Sequence, residues 1–184
     1  MEWTSIIVTG RSGSGKSYLI AKYLKGYEIE KFPDLESFDA VWICDVTGTF
    51  SIYSQWFSYF RRADGKLWRY TIFHTPREVD IYRVYRIFQK VPGRKLLIID
   101  DLTAAMTKDR RKLGFFLSDA RNHDISWIIT VQRVKNFAPV LLQNARLAVV
   151  FPYRKLEDLR EFLSKDDIKR VAKLTKHEYI VFEL

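Results

Sequence analysis

The sequence is 184 residues long and 47 % hydrophobic, enough for one globular domain with a substantial core. Its 31 Lys and Arg against 22 Asp and Glu leave a formal charge of +9, the direction expected for a phosphate-rich partner such as nucleic acid. No apolar run approaches the roughly 20 residues of a membrane span, no signal-peptide layout precedes the first apolar run, and a lone Cys44 leaves no internal disulfide or zinc cluster, so a soluble intracellular protein is expected.

Ser5 to Thr9 is an apolar run that reads as a strand, and GRSGSGKS, Gly10 to Ser17, follows it directly. Behind it Leu19, Ile20, Tyr23 and Leu24 make the stripe of a helix over Lys16 to Lys25. G-x-x-x-x-G-K-S between a strand and a helix is a Walker A loop. Gly10, Gly13 and Gly15 let the backbone turn several N–H groups toward one anion at the positive end of the helix. Arg11, Ser12, Ser14 and Tyr18 complete the expected nucleotide-binding segment; Lys16 would reach the β- and γ-phosphates and the Ser17 hydroxyl would ligate Mg²⁺. ATP and Mg²⁺ are the expected ligands. The alternative is a Gly/Ser turn before a helix capped by Ser14.

Further along, Ala40 to Cys44 reads as a strand, Ile52 to Phe60 as a helix, Leu67 to Phe73 as a strand and Arg77 to Lys90 as a helix with Ile81, Val84, Tyr85 and Phe88 on one face. Asp45-Val-Thr-Gly48 matches the D-x-x-G by which GTPases sense a γ-phosphate, although no N-K-x-D guanine reader accompanies it. The strand Lys95 to Ile99 runs into Asp100 and Asp101. Asp100 is the candidate Mg²⁺-associated acid and Asp101 the candidate that orients the attacking water, unless the pair only ends a strand and caps a helix.

Helical patterns follow at Arg110 to Arg121, Leu156 to Leu163 and Asp167 to Leu174, and strands at Ser126 to Val131, Leu147 to Phe151 and Tyr179 to Phe182. The alternation implies an α/β fold with a mainly parallel sheet flanked by helices. One domain over 1–184 is expected, its core about 3–151, with a C-terminal helical segment and closing strand over 152–184.

The stretch LSDARNHDISWIITVQRVKNFAPVLLQNARLAVVF, Leu117 to Phe151, carries Arg121 at a helix end, then IITVQR, then Asn144 and Arg146 before another strand. With the Walker motifs it resembles the FtsK/HerA superfamily of DNA-pumping P-loop ATPases (RecA/ASCE-like), and most of all the compact genome-packaging ATPases of archaeal and other internal-membrane DNA viruses. The resemblance implies that Gln132 senses the γ-phosphate or orients water and that Arg121 is the arginine finger reaching a neighbouring subunit, with Arg146 a second candidate. Val131-Gln132 stands where the family commonly has Thr-Gln, and Asp101 where many ATPases keep Glu.

By the same resemblance the protein would be an ATP-hydrolysing translocase packaging double-stranded DNA, in the host cytoplasm or with the virion. It would work as a homo-oligomeric ring, a hexamer, meeting a capsid or membrane portal protein. Basic segments at Lys108 to Lys112, at Arg61-Arg62 and along Arg83, Arg86 and Lys90 are candidates for backbone contacts to DNA. The rivals are a small nucleotide or metabolite kinase, a GTPase switch on Asp45 to Gly48, and a filament or conjugation ATPase of the same superfamily.

Overall fold

Strands buried on both faces need an apolar residue at nearly every position, and this chain supplies such runs. The computed structural model describes residues 3–45, 70–74, 81–102 and 110–184. In chain order these form β1 (Ser5–Thr9), α1 (Lys16–Leu24), β2 (Ala40–Asp45), β3 (Tyr70–His74), α2 (Ile81–Gln89), β4 (Lys95–Asp100), α3 (Arg110–Asp119), β5 (Ile125–Val131), α4 (Ala138–Asn144), β6 (Leu147–Val150), α5 (Lys165–Ala172) and β7 (Ile180–Glu183). Every residue of β1, β4, β5 and β6 is buried.

The strands form one sheet in the order β3-β2-β4-β5-β1-β6-β7. All neighbours pair in parallel except β6 and β7, which are antiparallel. Because successive side chains leave a strand on opposite faces, the sheet has two cores. Ile6, Val8, Val41, Ile43, Leu96, Ile98 and Ile128 pack with Leu19, Ile20, Tyr23 and Leu24 of α1. Ile7, Trp42, Cys44, Leu97, Ile99, Trp127, Ile129 and Val131 pack with Tyr85 and Phe88 of α2, Phe116 and Leu117 of α3 and Leu141 of α4. Each such side chain contributes about 1.5–3 kcal/mol of burial. Cys44 belongs to the second core, and burial pushes its thiol up to about 12.

The alternation decides where polar residues go. Asp45 shares parity with Val41 and Ile43, Asp100 with Leu96 and Ile98, and Thr130 with Ile128, so all three lie on the α1 face of the sheet. Strands β2 and β4 run one residue further than the apolar pattern indicates and end in those acids.

Other boundaries differ for local reasons. The helix expected to reach Arg121 ends at Asp119 and tightens to a 3₁₀ turn over Ala120–His123, since the Asp119 carboxylate accepts from Tyr85 Oη at 2.8 Å and Gln89 Nε2 at 3.0 Å, and Asp124 turns the chain at φ 53°. Leu156–Glu161 is 3₁₀ rather than α; the tertiary ion pair of its buried Asp158 with Arg133 outweighs the local pattern. Helix α4 went unread because it is short and carries Pro139 in its first turn, where a fixed φ favours helix entry. Ser164 caps α5, accepting from Asp167 N at 3.2 Å, so this helix starts before Asp167.

The expected helix Ile52 to Phe60, residues 46–48 of the D-x-x-G match, Arg61-Arg62 and Lys108 lie outside the described residues. Among the described residues, no helix is long and apolar enough to cross a membrane.

Candidate functional site

Parallel strands aligned in one sheet bring their C-terminal ends to one edge, the usual ligand edge of an open α/β sheet. The loop after β1 and the ends of β4 and β5 meet there. Between β1 and α1 the chain turns through Gly10 at φ 152°, Gly13 at 72° and Gly15 at 114°. Two of these glycines are also forced by space: a Cβ on Gly10 would stand 2.6 Å from Phe151 Cβ, and one on Gly15 would stand 2.8 Å from His177 Nδ1. The loop is pinned from outside by Arg11 N donating to Pro152 O at 3.0 Å and His177 N donating to Ser14 O at 3.2 Å.

Gly15, not Ser14, is the N-cap of α1, and no side chain caps that helix end. The capped-turn alternative is therefore not what forms. Among the described residues, Ser14 Oγ is buried without a hydrogen-bond partner, as is Asp101 Oδ1. An orphaned hydroxyl such as Ser14 Oγ, an uncapped helix end and a cradle without Cβ atoms are what a phosphate group fits. Lys16 is 8 % exposed, its ammonium donating to Gly10 O at 2.8 Å and Arg11 O at 3.1 Å. Desolvation lowers its pKa, while the charges of Asp100 and Asp101 pull it back up.

The acids join this loop through a chain of short hydrogen bonds. Ser17 Oγ donates to the Asp100 carboxylate, 3.1 Å from Oδ1 and 3.0 Å from Oδ2. Thr130 Oγ1 donates to Asp100 Oδ1 at 2.7 Å and accepts from Asp101 N at 2.7 Å. Gln132 Nε2 donates to Asp101 Oδ2 at 3.2 Å. Asp100 is 1 % exposed; burial raises its pKa, opposed by the bonds from Thr130 and Ser17 and reinforced by the charges of Asp45 and Asp101. Asp101 sits at φ 54°, a left-handed backbone that a non-glycine residue takes at some cost, and such strain gathers at functional sites. A hydroxyl beside a carboxylate is a hard-oxygen pair suited to Mg²⁺, which keeps most of its waters and needs few protein ligands.

Lys16, Ser17, Asp100, Asp101 and Gln132 thus converge. Asp45 does not join them. It is buried beside Asp100, but β2 lies three strands from β1, about 14 Å by sheet spacing, and Ser17 bonds to Asp100 instead. Arg121 is exposed in the turn before β5, at the sheet edge opposite Gln132 and about 20 Å away by strand rise. Arg146, before β6 on that same edge, donates from its guanidinium to Trp3 O at 3.1 Å. Both lie at the sheet edge away from the phosphate loop. Arg110–Lys112 open α3, and Arg86 and Lys90 are exposed.

Thr130 supplies a hydroxyl one position before the family's Thr, and the sequence alone assigns it no role. The missing hydroxyl at Val131 drew notice, yet Val131 faces the other core; counting by twos from Ile128 would have placed Thr130 on the α1 face. Also unforeseen were Arg133, bidentate to buried Asp158 at 2.8 and 3.2 Å, and Tyr153, whose Oη accepts from Val134 N at 2.9 Å. Both tie the segment after Gln132 to the C-terminal region.

No protein-family model matches the sequence, and no curated protein matches it. Solved structures do. The genome packaging NTPase B204 of Sulfolobus turreted icosahedral virus 2, in complex with AMPPCP, superposes with a TM-score of 0.74 at 22 % identity, over 98 % of this chain and 92 % of that one. B204 described as the DNA-packaging ATPase of Sulfolobus turreted icosahedral virus gives 0.72 at 21 %, with the same coverages of 98 % and 92 %. The pCW3 conjugation coupling protein TcpA, with ATPγS, gives 0.62 at 15 %, over 98 % of this chain and 57 % of that one. At such identities the likeness is one of architecture, and the chain has the P-loop NTPase fold seen in the B204 packaging NTPases.

Proposed function

We propose that this protein hydrolyses ATP and uses the energy to move double-stranded DNA, as a homo-oligomeric ring that packages a viral genome. The observation that carries the chemistry is the bonded series Ser17, Asp100, Thr130, Asp101, Gln132, which links the phosphate loop to a carboxylate oxygen with no partner among the described residues. In this reading the loop N–H groups and Lys16 hold the β- and γ-phosphates and Gln132 keeps the Asp101 carboxylate aimed. Asp101 Oδ1 accepts a proton from the water attacking the γ-phosphorus. Ser17 and Asp100 would hold Mg²⁺, which when bound neutralises phosphate charge.

Arg121 lies at the sheet edge away from the phosphate loop, which supports a finger acting across an interface. The charge of +9 and the likeness to B204, described as a DNA-packaging ATPase, support DNA as the cargo. A coupling ATPase, favoured by the likeness to TcpA, would share the site and differ in what it moves. Triplex displacement tests the DNA movement that the packaging reading requires. A packaging motor strips a third strand from linear duplex DNA when ATP is added, in the absence of any other protein. Displacement that never exceeds the ATP-free control, from a preparation that does hydrolyse ATP, contradicts DNA movement by this chain.

A further inference from the structure

Strand β1 lies between β5 and β6 in the sheet, so the segments that leave these three strands meet at one edge. A cavity of about 270 Å³ opens among them. Arg11 and Ser12 come from the segment after β1, Gln132 and Arg133 from the one after β5, and Tyr153, Arg154 and Lys155 from the one after β6. Two of its walls are fixed by bonds from elsewhere. Buried Asp158 holds the Arg133 guanidinium at 2.8 and 3.2 Å and neutralises its charge, while Tyr153 Oη accepts from Val134 N at 2.9 Å and from Thr9 Oγ1 at 3.4 Å. Arg11, Arg154 and Lys155 are exposed, and among the described residues that line the cavity there is no acid to balance them.

This basic recess adjoins the hydrolytic centre. Gln132, which donates to Asp101 Oδ2, is also a wall of the cavity, and the carbonyl of Arg11 accepts from the Lys16 ammonium at 3.1 Å. The terminal phosphate of a nucleotide held by Lys16 and sensed by Gln132 would therefore stand at the inner end of the recess. A concave surface lined by one sign of charge concentrates the opposite ion.

We infer that the cavity receives the orthophosphate released by hydrolysis, a staging site from which the product leaves past Arg154 and Lys155 while ADP is still in the loop. The inference rests on the hydrolysis proposed above. A DNA phosphodiester offers the same tetrahedral oxyanion, but it stays tied to its strand, whereas the free product arises beside Gln132 and carries more charge at neutral pH.

The test is calorimetric titration of inorganic phosphate into the full chain saturated with Mg-ADP. It compares the wild type, Arg154→Ala/Lys155→Ala, and Lys90→Ala/Lys173→Ala, which removes the same charge at exposed positions elsewhere. The wild type is expected to bind phosphate with ADP in place. Arg154→Ala/Lys155→Ala should bind it about tenfold more weakly at unchanged Mg-ADP affinity, and the control should match the wild type. In steady-state ATP hydrolysis, added phosphate should inhibit Arg154→Ala/Lys155→Ala correspondingly less than the wild type. Absence of phosphate binding by the wild type with Mg-ADP bound would overturn the site, as would equal weakening in both double variants or in neither. So would an Arg154→Ala/Lys155→Ala protein that loses affinity for duplex DNA and keeps it for phosphate, since those cations would then serve a phosphodiester backbone. A wild type that binds no Mg-ADP, or binds it and cleaves no ATP, overturns the reading on which the inference rests, a separate and distinguishable failure.

Discussion

Replacing Thr130 with valine removes one oxygen and leaves the shape almost unchanged, so it isolates what that hydroxyl does. In the fold it donates to a buried carboxylate at 2.7 Å and accepts the Asp101 N–H at 2.7 Å, from a side chain only 1 % exposed. A hydrogen bond to a charged group contributes about 1.5–3 kcal/mol and a neutral one about 0.5–1.5. Offset in part by the better burial of a methyl group, the loss should come to about 2–4 kcal/mol. For a chain of this length each kcal/mol shifts Tm by roughly 2–4 °C, so a drop on the order of 10 °C is expected. Thr130→Ser keeps both bonds and gives up one methyl, about 1 kcal/mol. Thermal unfolding of the three proteins without nucleotide measures the order directly, and turnover should fall with Thr130→Val because Asp100 and Asp101 lose their common anchor. A valine variant as stable as the wild type, or less damaged than the serine variant, would refute the bridging role.

Other consequences are sharper in direction than in size. Gly15→Ala sets a Cβ against His177 at φ 114°, so it should cost about 1–3 kcal/mol in a urea melt, and pairing it with His177→Gly should recover only the steric part. Asp100→Asn should raise the Mg²⁺ concentration needed for half-maximal turnover, whereas Asp101→Asn should slow turnover at saturating Mg²⁺ with nucleotide affinity near normal; indistinguishable behaviour would end the division of labour. Arg121→Ala and Lys16→Ala, each nearly inactive alone, should regain ATPase activity when mixed under conditions of proven subunit exchange. A finger contributes on the order of 10³-fold, so even few repaired interfaces are measurable, and no recovery at any ratio returns Arg121 to an ordinary surface role.

Much of this site was legible because its signals are local. GRSGSGKS needs three glycines in fixed places, and the backbone angles at Gly10, Gly13 and Gly15 have that same local origin. The apolar runs before Asp100 and Gln132 placed both at strand ends, and adjacency in the sheet did the rest. Thr130 could have been read from strand parity, had a neighbouring departure at Val131 not drawn the eye. What was illegible depends on distant chain segments meeting. Arg133 with Asp158 and His177 over Gly15 are contacts from residues 152–184, and Phe151 meets Gly10 from the end of the strand before them; no periodicity announces any of the three. Asp45, the one described residue of the D-x-x-G match, shows the opposite difficulty. It fits a pattern along the chain, but β4 and β5 stand between its strand and the loop strand, a fact of sheet order rather than of spacing along the chain.

The account's central claim is that the phosphate loop and the acids after β4 form an ATP-hydrolysing centre that answers to DNA. Steady-state turnover of ATP and GTP by the wild type and by Lys16→Ala, with and without linear double-stranded DNA, tests it in one set of assays. ATP hydrolysis that rises several-fold with DNA, exceeds GTP hydrolysis or equals it, and disappears in a folded Lys16→Ala protein is the predicted result. Hydrolysis that persists in Lys16→Ala, or that DNA leaves untouched across the salt range where the protein binds it, would contradict the claim.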